Sequence, residues 1–302
     1  MEKYGLQYLL KYLQNRGLTI NMLTTDQHLQ IRKFLRIEYP NICHQYDIWH
    51  RSKNLKKKLV KIAKKKAFSD LIPWIKSIVN HFWWCCANCG GDEKKLNEMW
   101  SSLLYHIQNI HKWRGKKSSY TKCSHPKLSI RDTLAKKWLS SGSPAYGALQ
   151  KIVLDKKLMD DLPNLVHFKH SGNIEVYHNL LLKYCPKRLS FSYEGNHTCT
   201  QLAVLDHNSN LNRMQAVTKK SGEKKEYLQW SKVTDNWVAK KQMEKKSRGF
   251  VDDIFNEFEN VSSGKLEKND KIEVIPKNIA KTPKPSKEEV IARKKSRFQL
   301  DK

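Results

Sequence analysis

The arrangement of residues 23–59, LTTDQHLQIRKFLRIEYPNICHQYDIWHRSKNLKKKL, constrains the fold more than any other stretch. A β-prone run over 18–23 leads into Thr24, Thr25 and Asp26. Ile31, Phe34 and Leu35 then recur at helical spacing over 27–38, until Pro40 stops the helix. A second β-prone run over 42–46 ends at Asp47, and a basic helix is expected over 51–66. Ahead of all this, Leu6, Leu9, Leu10 and Leu13 predict a helix over 2–16, with Gly17 placed to end it. Helix, strand, helix, strand in that order implies a right-handed α/β unit with two parallel strands.

The rest of the chain reads differently. From 68 to about 165 the apolar period is helical: Leu71, Trp74, Ile78 and Phe82 form one stripe, and Leu96, Trp100, Leu103 and Ile107 another. A further helix is expected over 173–184 (NIEVYHNLLLKY), with more helix over 191–216. The expected organisation is a partial α/β core over 1–66, an all-α insertion over 67–170 and returning helices over 171–218. A helical extension over 219–262 and a basic tail over 263–302, too poor in large apolar residues to fold, complete it. No apolar run approaches the ~20 residues needed to span a bilayer, so a membrane is not an expected partner.

Charge narrows the function classes. Lys and Arg number 57 against 29 acids, a formal net charge of +28. Such a field attracts polyanions, and nucleic acid is the natural partner because binding it releases counterions. The densest basic segment is the expected helix 51–66, with Arg51, Lys53, Lys56, Lys57, Lys58, Lys61, Lys64, Lys65 and Lys66, while Leu55, Leu59 and Ile62 face a core. Two readings of the lysine face stand side by side: a solvated surface, or a surface that meets phosphates. The nine tryptophans fall mostly at core spacing, which predicts packing rather than base stacking.

The seven cysteines are odd in number and no secretion signal precedes them, which favours reduced thiols or metal ligation over disulfides. Cys86-x-x-Cys89, His106, His111 and Cys123-x-His125 offer thiolate and imidazole donors for a tetrahedral Zn2+ site. Cys85 and Cys86 follow Phe82-Trp83-Trp84, where core packing explains them equally well. His106, His111, Cys123 and His125 share one connected region and are the preferred ligand set.

Acids at strand ends are the other source of chemistry. Asp26 suits either a helix cap or a site acid, and Asp47 with His50 forms a D-x-x-H pair at the adjacent strand end. Carboxylates gathered at one sheet edge repel unless a divalent cation lies between them. Here the residues resemble a known family. TTDQHLQIRKFLRIEYPNICHQYDIWH is similar to the block around the second catalytic acid of Mutator-like and related eukaryotic cut-and-paste transposases, and GNIEVYHNLLLKY looks like the helix bearing their third acid. The resemblance runs over about residues 2 to 215. It implies an RNase H-like fold, Asp26 as second acid, Glu175 as third, and Asp47 and His50 as the adjoining pair. It also implies Mg2+ or Mn2+ as cofactor, DNA as partner and the nucleus as location. The family's first acid lies on an earlier strand, and no Asp precedes Asp26. The expectation is therefore an incomplete, catalytically inert RNase H-like core with two parallel strands. A homo-oligomer or a separate chain would supply the missing strands. The alternative is a non-enzymatic nucleic-acid-binding protein.

Overall fold

The computed structural model describes residues 2–114, 120–219, 221–232, 236–266, 283 and 285–293. The chain divides into two units, one ending at Glu175 and the other beginning at Val176. The first is dominated by helix and the second mixes helices with a hairpin, and each is described by itself.

The first unit opens with the expected alternation. Helix α1 (Glu2–Asn15) ends at Gly17, whose φ of +77° is the left-handed conformation that a helix terminator needs. Strand β1 (Met22–Thr25), helix α2 (Leu29–Glu38) and strand β2 (Cys43–Tyr46) follow, and the two strands pair in parallel. β1 lies later than the run 18–23 because its partner fixes it. Met22 faces Cys43 and Thr25 faces Tyr46, and the outermost bonds are Cys43 N–H to Asn21 O and Asp47 N–H to Thr25 O, both 2.9 Å. α2 lays Ile31, Phe34 and Leu35 against Leu10 of α1, with Ile20, Leu23 and Ile42 alongside. That small core is all the α/β unit has of its own.

Helix α3 (Ile48–Ala63) starts three residues before the expected point, because Asp47 caps it by accepting from the Trp49 N–H at 2.7 Å. Its buried residues Leu55, Leu59 and Ala63 do not join the α1–α2 core. They pack into a second and much larger one, built from the helical stretch that follows. That stretch runs through a 3-10 segment (Lys66–Trp74), α4 (Ile75–Asn88), α5 (Glu93–Ser101), α6 (Leu103–His106) and α7 (Ile130–Ala135). It ends with α8 (Pro144–Val153), α9 (Lys156–Asp161) and a short 3-10 turn (Leu162–Leu165). Phe82, Leu96, Met99, Trp100, Ile107 and Leu149 fill its centre, and the Trp100 indole N–H donates to Val153 O at 3.0 Å. The helical stripes read from the sequence are thus inward-facing. The boundary expected at residue 66 is not a packing boundary, since α3 belongs to the insertion's core.

A buried carboxylate ties the two parts of this unit together. Asp161, at the end of α9, is paired with Arg51 of α3 (3.1 Å) and Arg32 of α2 (3.2 Å). Its Oδ2 also accepts from the Gln27 side-chain N–H at 3.0 Å.

The second unit begins within helix α10 (Gly172–Tyr184) and continues with α11 (Tyr193–Ser209). The region expected as a helical extension over 219–262 is instead a hairpin, β3 (Glu226–Ser231) and β4 (Asn236–Lys241), and only then helix α12 (Gly249–Ser262). The aromatic residues Tyr227, Trp230 and Trp237, with Val238, explain that outcome through their strand preference. Most of the tail over 263–302, with the disorder expected of it, lies outside the described residues. Its described part includes a short helix, α13 (Lys287–Ala292).

Candidate metal centre

The end of α6 and the segment after it assemble a cluster of ligand-type side chains. α6 closes at His106, and Asn109 adopts a left-handed φ of +63°, a conformation Asn tolerates better than most residues. This turn directs the chain into a short antiparallel ladder. Cys123 N–H donates to His111 O at 3.0 Å, Lys112 pairs with Lys122, and Trp113 N–H donates to Thr121 O at 2.9 Å. His111 and Cys123, with eleven residues between them in the sequence, become direct neighbours across that ladder. His125 follows two residues on.

One ligand atom from each of His106, His111, Cys123 and His125 lies within 4.8 Å of every other. His106 Nδ1 sits 3.5 Å from Cys123 Sγ and 3.3 Å from His125 Nε2. A tetrahedral Zn2+ ion with ordinary bond lengths separates two nitrogens by about 3.3 Å and a nitrogen from a sulfur by about 3.6 Å. Those two edges are therefore already at coordination distance. The imidazole rings meet edge to face, with centroids 4.9 to 5.1 Å apart.

The other ring atoms fix which nitrogen is available. His125 Nδ1 is 2.7 Å from Pro126 O, so it carries the proton and leaves the Nε2 lone pair facing the cluster. His111 Nε2 is held by Asn109 Oδ1 at 3.0 Å, while its Nδ1 is buried without a partner. An orphaned buried nitrogen costs stability unless something accepts its lone pair. A metal ion does so, and Asn109 then plays the outer role that orients a ligating histidine.

Electrostatics agree with neutral imidazole donors. Burial, with His111 and His125 beside it, lowers the His106 pKa to about 3, and burial likewise lowers His111. Burial raises the Cys123 thiol, which a cation alongside would reverse. The four residues could hold a metal ion such as Zn2+, and a set of four protein ligands closes the coordination sphere as a structural site does. On its inner side the cluster borders a cavity of about 360 Å3 lined by Trp74, His81, Trp84 and Tyr120.

The Cys86-x-x-Cys89 pair stays out of this centre. Both thiols are buried in the main core, and Cys89 Sγ is shared between Cys86 O (3.4 Å) and Val166 O (3.3 Å). Packing accounts for them.

The acids expected at the sheet edge are placed as follows. Asp26 is exposed just after β1, where its Oδ1 accepts from the His28 N–H at 3.2 Å and turns the chain into α2. Glu175 is exposed in the first turn of α10. Asp47 is buried, and both of its oxygens are engaged, Oδ1 by the Trp49 N–H and Oδ2 by the N–H and hydroxyl of Ser171. Burial alone would raise its pKa, but these donors and His50 outweigh it and hold the carboxyl below its usual range. His50 Nδ1 lies 3.3 Å from Asp47 Oδ2, at ion-pair distance but off the line of a hydrogen bond. Among the described residues Asp26, Asp47 and Glu175 do not gather into a ligand cluster, and nothing supports an Mg2+ or Mn2+ site there.

The basic face is arranged largely as its sequence suggests. Lys53, Lys56, Lys57, Lys58, Lys61, Lys64, Lys65 and Lys66 are exposed. Among the described residues, Lys58 alone of these has an acidic partner, Asp155 at 3.8 Å. Arg51 departs from the group: it is 7% exposed and committed to Asp161, because its position on α3 points inward. No protein-family model matches the chain, and no curated protein or solved structure matches it significantly.

Proposed function

We propose that this is a nucleic-acid-binding protein of transposase descent, which holds DNA through the lysine face of α3 without cutting it. The observation that carries the reading is that face itself. α3 sets Leu55, Leu59 and Ala63 into the core and turns Lys53, Lys56, Lys57 and Lys61 to solvent without acidic partners among the described residues, and Lys64, Lys65 and Lys66 just beyond its end extend the face, on a protein of net charge +28. A face kept only for solubility gains from mixed signs and intrahelical pairs, and α3 has neither. Zinc at His106, His111, Cys123 and His125 stabilises the helical body that presents the face.

The proposed descent draws support from the order α1, β1, α2, β2 and from the parallel pairing of β1 with β2. In that reading Asp26 and Glu175 are remnants of metal-binding acids, while Asp47 has become a cap for α3. A nuclear location and DNA as the partner follow from the same proposal.

Two measurements test this. In a binding titration with duplex DNA at low salt, replacing Lys56, Lys57, Lys61 and Lys64 together by Gln should weaken the complex by at least tenfold; an unchanged affinity would assign the face to solubility alone. In a nicking assay with Mg2+ or Mn2+, no product should form. Nicking that disappears in Asp26→Ala and Glu175→Ala would instead establish an enzyme.

A further inference from the structure

The hairpin of the second unit has an unusual surface. Its register sets Leu228 against Ala239 and Trp230 against Trp237, and strand alternation puts these four side chains on one face. The two indoles meet nearly edge to face, with centroids 5.7 Å apart. Neither is covered: Trp230 is 46% and Trp237 61% exposed, and Tyr227 on the opposite face is 48% exposed. Among its described residues the second unit buries only Leu180 and Ala203 as apolar core, so the ribbon does not roof a core.

A Trp pair across two strands strengthens a hairpin by about 0.5–1.5 kcal/mol, which accounts for the pairing but not for the charges around it. Lys224 and Lys225 lead into β3, Lys232 follows it, and Lys240 and Lys241 end β4. All but the half-buried Lys225 are exposed, and none of the five makes an ion pair among the described residues. Between residues 213 and 248 the sequence has eleven Lys and Arg against four acids. Exposed ring faces flanked by unpaired cations complement a chain that offers bare bases and phosphates. A duplex hides its base faces and would use only the cations. A lipid surface would need a continuous apolar face, and here Glu226 and Lys241 interrupt it at one end.

We propose that the β3–β4 ribbon is a platform for single-stranded nucleic acid, on which bases stack against Trp237 and Trp230 while Lys241, on the same face, and Lys224 and Lys232 at the ends of β3 hold phosphates. This rests on the reading of the protein as a nucleic-acid binder but uses residues apart from α3.

The test compares the full-length protein on a labelled oligothymidylate and on a blunt duplex of equal length, by fluorescence anisotropy. Trp237→Val removes the ring with a strand-favouring side chain, and Trp237→Phe restores a ring. The Val variant should bind the oligothymidylate about tenfold more weakly, the loss of one stacked base, while duplex affinity stays within about twofold. The Phe variant should recover most of the loss. Should the Val variant lose the ribbon, shown by faster proteolysis across 224–242, the pair Lys224→Glu, Lys241→Glu decides, since it leaves the indoles in place; it too should weaken single-strand binding about tenfold. The proposal is overturned if single-strand affinity is unchanged in variants that keep the ribbon, or if both nucleic acids weaken equally. It is also overturned if vesicles of anionic lipid, rather than the oligonucleotide, show the Trp237 dependence. Duplex binding that survives with no Trp237 effect defeats the ribbon alone, whereas failure to bind either nucleic acid defeats the wider reading.

Discussion

At the scale of single residues, the candidate metal ligands were legible because chemistry reveals them: imidazoles and a thiol within twenty residues are an uncommon coincidence. What the sequence hid was Asn109, whose left-handed turn and hydrogen bond to His111 fix the ligand's orientation. The protein reconstituted with zinc should carry about one equivalent, and His106→Ala or Cys123→Ala should abolish it. Each loss should also lower the thermal midpoint, measured by calorimetry, with a chelator doing the same to the parent alone. A second prediction concerns His44, which burial, aided by Arg32, brings down from 6.5 to about 4. Its folded pKa lies below its unfolded one, so its contribution to stability is whole above pH 6.5 and is lost as pH falls toward 4. Denaturant midpoints measured across that window should fall less steeply in His44→Gln than in the parent.

At the scale of elements, period and punctuation carried most of the information. The helices of the first unit, the parallel strand pair and the stop at Pro40 follow from apolar spacing. Boundaries did not, because they depend on partners distant in sequence: β1 is placed by β2, and α3 begins where Asp47 finds both the Trp49 N–H and Ser171. Asp47 illustrates why an acid at a strand end is ambiguous in one dimension. A cap and a metal ligand share residue type and position, and only the partners distinguish them. Asp47→Ala should cost about 1–2 kcal/mol in chemical denaturation, and Asp47→Asn, which still accepts a cap bond, should recover part of it. Asp161 is a stronger case. Its removal would leave Arg32 and Arg51 facing each other without their shared carboxylate, and Asp161→Ala should cost about 3–5 kcal/mol. No local signal marked Asp161, because its partners lie more than a hundred residues away.

At the scale of the whole molecule, charge and core are separate designs. The first unit concentrates its burial in one large helical core that recruits α3, leaving a minor core between α1 and α2. Among its described residues the second unit buries little apolar surface, and it displays Tyr227, Trp230 and Trp237 on a ribbon. Tryptophans at 230 and 237 look like core residues in a sequence read for apolar content, since exposure depends on what fails to pack against them. Net charge, by contrast, is additive, and its consequence was visible from composition. The salt dependence of DNA binding reports whether the lysine face meets phosphates. Plotted as log affinity against log salt, the parent should give a straight line of negative slope. The variant with Lys56, Lys57, Lys61 and Lys64 changed to Gln should show a slope shallower by about 2 to 4, one phosphate contact for nearly every lysine removed. Identical slopes for the two proteins, or no binding by the parent at low salt, would contradict the account.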